Sequence, residues 1–254
     1  MNTGEAQRLV KWLDARLADS GARGFVVGLS GGIDSAVVAR LCHLARPDTT
    51  VGIMMPCHSD PQDEVDARLL ASHFGIPVVR VDLAPAYDQL LKDGRAAMAP
   101  LLLREHEQHS PDDLRARLPM ANLKPRLRMA TLYYVANTLN HLVVGTGNRS
   151  ELTIGYFTKF GDGGVDLLPI GHLVKSDVRA LARELEVPPA IIEKPPSAGL
   201  WLGQTDEAEM GFTYADLERY LTDGPESVAP AIAMKIERLA RASDHKRAPA
   251  PVPD

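Results

Sequence analysis

Residues 24–36 read GFVVGLSGGIDSA, and this stretch decides the fold. Its first six residues form a short, uninterrupted apolar run, which is typical of a strand buried on both faces of a parallel sheet. A glycine-rich turn from Ser30 to Gly32 follows at once, and an apolar helical pattern begins near Ser35. Such a strand–turn–helix unit directs several backbone N–H groups and the positive end of a helix to one point, where an anionic phosphate can bind.

The turn differs from two common phosphate-binding patterns. No lysine follows the glycines, as it does in a Walker A loop, and the glycine spacing is not GxGxxG. Asp34 stands there instead, and a carboxylate beside phosphates indicates a bridging Mg²⁺. The structural alternative is a tight turn in which Asp34 only helps to begin the helix. The complete pattern SGGxDSA, directly after an apolar strand, favours the phosphate-binding interpretation.

The same alternation of strands and helices continues along the chain. Apolar runs at 49–55, 77–83 and 141–147 predict further strands, with helical patterns between them. This order predicts a single α/β domain, with a Rossmann-like parallel sheet flanked by helices and connected by right-handed crossovers. Pro125 predicts the first turn of a long helix that ends near Leu139.

Composition and charge exclude several classes of protein. The 254 residues include 33 acidic and 28 basic residues, which give a formal net charge of −5. This balance gives no footprint for non-specific nucleic-acid binding, and no stretch approaches the roughly 18 apolar residues of a membrane span. Two cysteines, Cys42 and Cys57, are too few for a disulfide framework. We therefore expect a cytoplasmic protein without nucleic-acid or membrane partners.

Longer segments downstream point to a family. The chain reads VVGTGNRSE at 143–151, GYFTKFGDGGVDLLPI at 155–170 and KPPSAGLWLGQTDEAEMGFTY at 194–214. The SGGIDSA loop resembles the pyrophosphate-binding loop of enzymes that split ATP between its α- and β-phosphates, and by itself it does not choose among them. The downstream segments, in this order, resemble ammonia-dependent NAD synthetase over roughly residues 5 to 247.

This resemblance implies a ligase that forms a C–N bond. Nicotinic acid adenine dinucleotide (deamido-NAD) would be amidated to NAD with ATP as co-substrate, Mg²⁺ as cofactor and ammonia as nitrogen source, through a nicotinyl-adenylate, with release of AMP and pyrophosphate. Glutamine is not expected to serve, because only about 23 residues precede the first strand, too few for an amidase domain. The resemblance also implies a synthetase domain over 1–247 with a proline-rich tail at 248–254.

We expect a homodimer. The helix that ends near Leu139 carries apolar residues around most of its circumference, so it must be covered on two sides, and a partner helix across a two-fold axis could supply one cover. The resemblance implies the same, because the family builds its dinucleotide site at a dimer interface.

Site residues follow from the resemblance, position by position. ATP would be bound by Gly28, Leu29, Ser30, Gly31, Gly32, Ile33, Asp34, Ser35, Thr146, Lys175 and Ser197. Deamido-NAD would be bound by Arg126, Lys159, Asp166, His245 and Lys246. Mg²⁺ would be held by Asp34 and Glu151. The residues that serve the chemistry would be Asp34, Lys175, Ser197 and Asp166, and Asp166 is a candidate acceptor for a proton from ammonia.

Two other functions stay open. One is another adenylating amidation enzyme or tRNA-modifying enzyme with the same loop; a tRNA modifier typically needs a cysteine pair or a basic RNA-binding appendage. The other is a regulatory module that holds ATP without turnover, against which the paired carboxylates Asp34 and Glu151 argue. We also expect Lys194 to Gly224 to form a mobile lid that closes over the substrates, because the segment shows no regular period.

Overall fold

The computed structural model describes residues 4–102, 114–196 and 205–253. The strands are β1 (Gly24–Gly28), β2 (Thr50–Met54), β3 (Val78–Arg80) and β4 (His141–Val144). The helices are α1 (Glu5–Ser20), α2 (Ile33–Ala45), α3 (Pro61–Phe74), α4 (Ala84–Leu102), α5 (Leu114–Leu139), α6 (Arg149–Ile154), α7 (Lys175–Glu184), α8 (Pro189–Ile192), α9 (Asp206–Met210), α10 (Tyr214–Asp223), α11 (Pro230–Ala242) and α12 (Asp244–Arg247).

The four strands form one parallel sheet in the order β3-β2-β1-β4. Val26 of β1 lies between Val51 of β2 and Val143 of β4. The chain proceeds outward from β1 to β3 and then returns to place β4 on the other side of β1. Such a reversal of strand order leaves a crevice at the carboxyl end of the central strand. The predicted parallel α/β sheet is confirmed.

Side chains of β1 alternate between two apolar clusters. Phe25 and Val27 pack in one cluster with residues of α1, α2, α3 and α7, whereas Val26 packs in the other with residues of α5. Each of these three side chains is fully buried. Because helices cover both faces, the strand needs apolar residues at every position, which explains the continuous run in the sequence.

Helix α5 begins earlier than predicted. It starts at Leu114 and contains Pro119 and Pro125, so the expectation that Pro125 opens the helix is wrong. A proline lacks only its own N–H and disturbs only the turn before it. Here that turn is held by packing, since Ala121 is buried and Leu123 contacts the cluster around β1.

A third apolar cluster lies beside the sheet and joins α6, α9, α10 and α11. Its buried side chains include Met210, Tyr214 and Leu217, and a capping box between Thr213 and Asp216 begins α10. The expected lack of regular structure is therefore wrong for residues 205–224, whereas their mobility and closure over substrates stay a prediction. Of the rest of the predicted lid, residues 194–196 are described and residues 197–204 lie outside the described residues.

Residues 248–253 contain no helix or strand. Among the helices in the described part of the chain, none combines the length and the apolar character needed to cross a bilayer.

Candidate active site

A cavity of about 880 Å³ opens at the carboxyl ends of β1, β2 and β4. The strands contribute Gly28, Met54 and Val144 to its wall, and Thr146 follows β4 into it. In open parallel sheets, ligands bind at this edge, at the point where the strand order reverses. Thr146 therefore lies at this ligand-binding edge, and its role in ATP binding stays a prediction.

The loop after β1 forms one wall of this cavity. Its lining residues are Gly28, Leu29, Ser30, Gly32, Ile33, Asp34 and Ser35. Gly31 makes the turn with a φ of +76°, and a Cβ at this position would lie 2.3 Å from the carbonyl oxygen of Asp63. Only glycine satisfies both the positive φ and the close approach to α3, so the glycine at this position has a clear steric reason.

Hydrogen bonds within the loop hold it in one shape. The Ser30 and Ser35 hydroxyls lie 3.1 Å apart, Ser35 Oγ donates to the Gly32 carbonyl at 2.9 Å, and Gly32 N donates to Ser30 Oγ at 3.3 Å. Gly32 precedes α2 without a side chain to cap it, so amide groups of the first turn face the cavity without a side-chain acceptor from that position. This is a suitable site for an anion.

A charged cluster stands beside the loop. Lys175, the first residue of α7, is 2% exposed and donates to Asp34 Oδ2 through a short contact. Its Nζ also lies 3.5 Å from Glu151 Oε1. Asn148 Nδ2 donates to the other Asp34 oxygen at 3.0 Å. The structure thus brings together three residues predicted from the sequence, which come from the first turn of α2, from α6 and from α7.

Burial and charge shift the pKa values in this cluster. Burial raises the pKa of the Glu151 carboxyl to about 8, the charge of Asp34 raises it as well, and Lys175 opposes both. Burial disfavours the charge of Lys175, but Asp34 and Glu151 outweigh that effect and raise the pKa of Lys175 above its ordinary value. Lys175 is therefore a permanent cation, and Glu151 resists ionisation in the absence of further positive charge.

Asp206 extends the acidic side of the cavity. It is 3% exposed and accepts a hydrogen bond from the Tyr214 hydroxyl at 2.8 Å. Its Oδ1 is buried and has no hydrogen-bond partner among the described residues. Burial raises the pKa of the Asp206 carboxyl, which Tyr214 and Lys175 partly oppose. The sequence motif TDExExG contains Asp206, but sequence reasoning gave it no role.

The residues predicted to bind deamido-NAD divide into two groups. Lys246 lines the cavity and donates to the carbonyl oxygens of Gly155 and Phe157, at 2.7 Å each. Arg126, Lys159 and His245 do not line it, but hydrogen bonds link them: Arg126 Nε donates to the Lys159 carbonyl, and Lys159 Nζ donates to the His245 carbonyl. Arg126 and His245 are exposed, so this group forms a surface beside the cavity.

Asp166 also lies outside the cavity lining and has a structural task. One carboxylate oxygen accepts from the backbone N–H of Val143 at 2.8 Å, and the other accepts from the Tyr133 hydroxyl at 2.9 Å. Val143 belongs to β4, the edge strand, so Asp166 satisfies a donor that no neighbouring strand pairs. Ser197, which was predicted to bind ATP, lies outside the described residues.

Arg128 and Lys194 are among the cavity-lining cations that sequence reasoning missed. Arg128 donates to the Met55 carbonyl at 3.2 Å and to Ser59 Oγ at 3.1 Å, and burial lowers its pKa. Lys194 Nζ contacts carboxylates of Asp63 at 2.8 Å and Asp66 at 2.5 Å. A basic residue in a sequence gives no sign of which carbonyl or carboxylate it will meet, so no local signal distinguished these two from surface charges.

Comparisons with known proteins agree with this geometry. A family model described as NAD synthase matches residues 5–250. The chain is 50% identical to the NH(3)-dependent NAD(+) synthetase of Carboxydothermus hydrogenoformans, over 96% of this chain and 94% of that protein. Among solved structures, the NMN synthetase of Francisella tularensis superposes with a TM-score of 0.88 at 38% identity, covering 98% of this chain and 97% of that one.

A second solved structure extends the likeness. The NAD+ synthetase of Burkholderia pseudomallei superposes with a TM-score of 0.77 at 32% identity, over 97% of this chain and 90% of that one. The family model, the close relative and both structures cover almost the whole chain, including the loop after β1 and the charged cluster beside it. The chain belongs to the NAD synthase family.

Proposed function

We propose that this protein is a C–N ligase that amidates deamido-NAD to NAD with ATP and ammonia. The observation that carries the proposal is the buried cluster of Asp34, Glu151 and Lys175 beside an anion-binding loop, at the carboxyl edge of the sheet. A carboxylate does not react with ammonia directly, because oxide is too poor a leaving group. Coupling to ATP solves this problem, and a site that binds pyrophosphate is what the coupling requires.

The reaction has two steps. An oxygen of the nicotinate carboxylate attacks the α-phosphorus of ATP in line, and the bond from that phosphorus to the bridging oxygen breaks, so that pyrophosphate leaves with the electron pair. Ammonia then attacks the acyl carbon of the adenylate, loses a proton, and displaces AMP. Neither step needs a nucleophile from the protein, so positioning and charge neutralisation carry the catalysis.

Residues of the loop and cluster supply that neutralisation. The amides and hydroxyls of Gly28, Leu29, Ser30, Gly31, Gly32, Ile33, Asp34 and Ser35 would cradle the departing pyrophosphate. Lys175 is a buried permanent cation and would oppose the negative charge that gathers on the leaving group. Thr146 would contact the nucleotide from the end of β4, and Ser197 would complete the set.

The donor set fits Mg²⁺. Asp34 and Glu151 offer hard carboxylate oxygens beside the phosphate loop, and Mg²⁺ usually binds one or two carboxylates together with substrate phosphates. A site built of protein groups alone is not expected, and the described residues contain no cluster of three or more suitable ligands. The raised pKa of Glu151 supports the fit, because two carboxylates against one ammonium leave room for further positive charge. Bound there, the ion would neutralise phosphate charge.

The dinucleotide site and a homodimer are proposed together. Arg126, Lys159, Asp166 and His245 lie on the surface beside the cavity, so a ligand that reaches them would need a cover. Phe160, which follows Lys159, is 65% exposed, and Tyr134, which follows the Tyr133 that donates to Asp166, is 73% exposed. A second copy of the chain would bury this surface. Sedimentation should give a dimer mass, and Tyr134→Glu should give a monomer with weakened dinucleotide binding; a monomeric, fully active wild type would contradict the dimer.

A second candidate substrate has its own support. The likeness to the Francisella NMN synthetase favours a mononucleotide, because making NMN by the same amidation takes nicotinic acid mononucleotide in place of deamido-NAD. The chemistry at the carboxylate is unchanged, and only the adenylate half of the acceptor is missing. We keep deamido-NAD as the first choice because the 50% identical relative is named for NAD synthesis.

One assay tests both candidates. The purified chain is incubated with ATP, Mg²⁺ and ammonium, with either deamido-NAD or nicotinic acid mononucleotide, and AMP is measured with NAD or NMN. We expect AMP and NAD in equal amounts, a higher kcat/KM for the dinucleotide, and no turnover when glutamine replaces ammonium. Preference for the mononucleotide would establish the second candidate, and absence of AMP with either acceptor would refute both.

Two further assignments complete the proposal. The catalytic domain would extend over residues 1–247, with 248–254 as a tail that takes no part in the reaction. The protein would act in the cytoplasm, where ATP and pyridine nucleotides are present.

A further inference from the structure

Asn148 occupies a junction between the two predicted metal ligands. It is fully buried and directly precedes α6. Its side-chain oxygen accepts from the backbone N–H of Glu151 at 3.0 Å, and its own backbone N–H donates to Glu151 Oε2 at 3.2 Å. Its side-chain nitrogen donates to Asp34 Oδ1 at 3.0 Å. One residue therefore contacts both carboxylates.

These hydrogen bonds differ in what they explain. The two to Glu151 form a capping box, which satisfies free amide groups at the start of a helix and needs no function. The one to Asp34 adds nothing to α6, because Asp34 lies 114 residues away in the first turn of α2. Serine, threonine or aspartate would cap the helix equally well, but none of them offers an amide donor.

The amide and Lys175 hold Asp34 from two sides. Asn148 bonds Oδ1 and Lys175 bonds Oδ2, so the plane of the carboxylate is set. Glu151 is held in a similar way. Its Oε2 accepts from the backbone N–H of Asn148, and its Oε1 faces Lys175. A cation held by both carboxylates would thus meet ligands whose orientation is determined before it binds. Asn148 forms a hydrogen bond with each of these two carboxylates.

We propose that Asn148 is a positioning residue that aligns Asp34 with Glu151 for the metal–ATP complex. The inference rests on the proposed function, and it concerns a residue that acts through others and not on the reacting atoms. Groups that orient metal ligands typically account for about 10- to 100-fold in metal affinity or activity. We expect an effect of that size when only the bond to Asp34 is lost.

Asn148→Ser separates the two tasks of this residue. The serine hydroxyl can cap α6 but is one bond too short to replace the amide at Asp34, so the melting temperature should stay near that of the wild type. Asn148→Ala removes both tasks, and its melting temperature should fall because the cap is lost. Asn148→Thr gives the same separation as serine and serves if the serine variant folds poorly.

The measurement is the dependence of nucleotide affinity on metal. The probe is α,β-methylene-ATP, whose bridge cannot be cleaved, and calorimetry gives its Kd with Mg²⁺ and again with EDTA. The Kd in EDTA divided by the Kd with Mg²⁺ reports how much the metal contributes to nucleotide affinity. In Asn148→Ser this ratio should fall by about 10- to 100-fold, while the Kd in EDTA is unchanged.

Each result decides something. A wild-type ratio in Asn148→Ser would overturn the inference, and so would an equal weakening with and without metal, which would indicate loss of packing alone. A wild-type protein whose affinity does not depend on metal would refute the proposed Mg²⁺ site itself, and that outcome is distinct because it appears without any substitution.

Discussion

Replacement of Lys175 by methionine would test the charged cluster most directly. Methionine has nearly the same length but no charge, so the buried space stays filled while Asp34 and Glu151 lose the cation between them. Both carboxylates are largely shielded from water, with side-chain exposures of 17% and 18%. The variant therefore leaves a buried carboxylate without its cation, beside a second carboxyl that already resists ionisation.

The expected loss of stability is large. Removal of one partner from a buried ion pair costs about 3–5 kcal/mol. For a chain of this size, a loss of that amount lowers Tm by about 6–20 °C. Loss of a group that stabilises charge in the transition state should also lower kcat by about 10²–10³-fold. Loss of the Lys175 charge raises the pKa of Glu151 further, so the deficit in stability should be greater at pH 8 than at pH 5.

Calorimetry in EDTA and an assay for AMP would measure both effects. Lys194→Met is the matched control for stability, because Lys194 also contacts two carboxylates but is 25% exposed, and we expect a smaller fall in Tm. Added Mg²⁺ should stabilise Lys175→Met more than the wild type. If Lys175→Met kept the Tm and the turnover of the wild type, the reasoning from the buried cluster would be refuted.

Asp34→Asn keeps the shape of the side chain without its charge, so we expect a folded protein whose pyrophosphate release falls by roughly 10²-fold; near-normal turnover at saturating Mg²⁺ would mean that the metal assignment is wrong. Gly31→Ala should destabilise the fold, because alanine at this positive φ costs about 1–2 kcal/mol and its Cβ would clash with the carbonyl oxygen of Asp63. Gly94→Ala, in open space within α4, should instead stabilise by about 0.5–1 kcal/mol, so calorimetry should show opposite shifts in Tm. In metal-free buffer, the free energy of unfolding should decline as pH rises from about 4.5 to about 8, because folded Glu151 holds its proton over this range and the unfolded carboxyl does not. Urea titrations of Glu151→Gln should lack that decline, and an equal decline would assign it to another group.

Local patterns made part of this structure predictable. Strand β1 and its loop follow from a continuous apolar run and a glycine pair, and both signals depend only on neighbouring residues. The turn at Pro125 was misjudged because proline is compatible with the first turn of a helix and also with an interior held by packing. The start of α10 was visible in the spacing of Thr213 and Asp216, and the lid expectation gave that signal too little weight.

Contacts between distant residues were beyond sequence reasoning. The types of Asp34 and Lys175 could be carried over from a family, but the bond between residues 141 positions apart depends on how β1 and α7 are placed. Asp166 was predicted to bind the substrate. In the structure its carboxylate accepts from the backbone N–H of Val143 on the edge strand. The need for that acceptor arises only once the order of the strands is known.

The strand order also bears on how the chain is made. β1, β2 and β3 are synthesised first, and the partner for the other side of β1 follows only when β4 emerges. At roughly 5–20 residues per second, the 113 positions from Gly28 at the end of β1 to His141 at the start of β4 take on the order of 10 s to translate. During that interval the central strand has an open, apolar edge, which is a template for pairing between nascent chains. The yield of the protein on expression should therefore respond to translation speed and chaperone supply as well as to the stability of the finished fold.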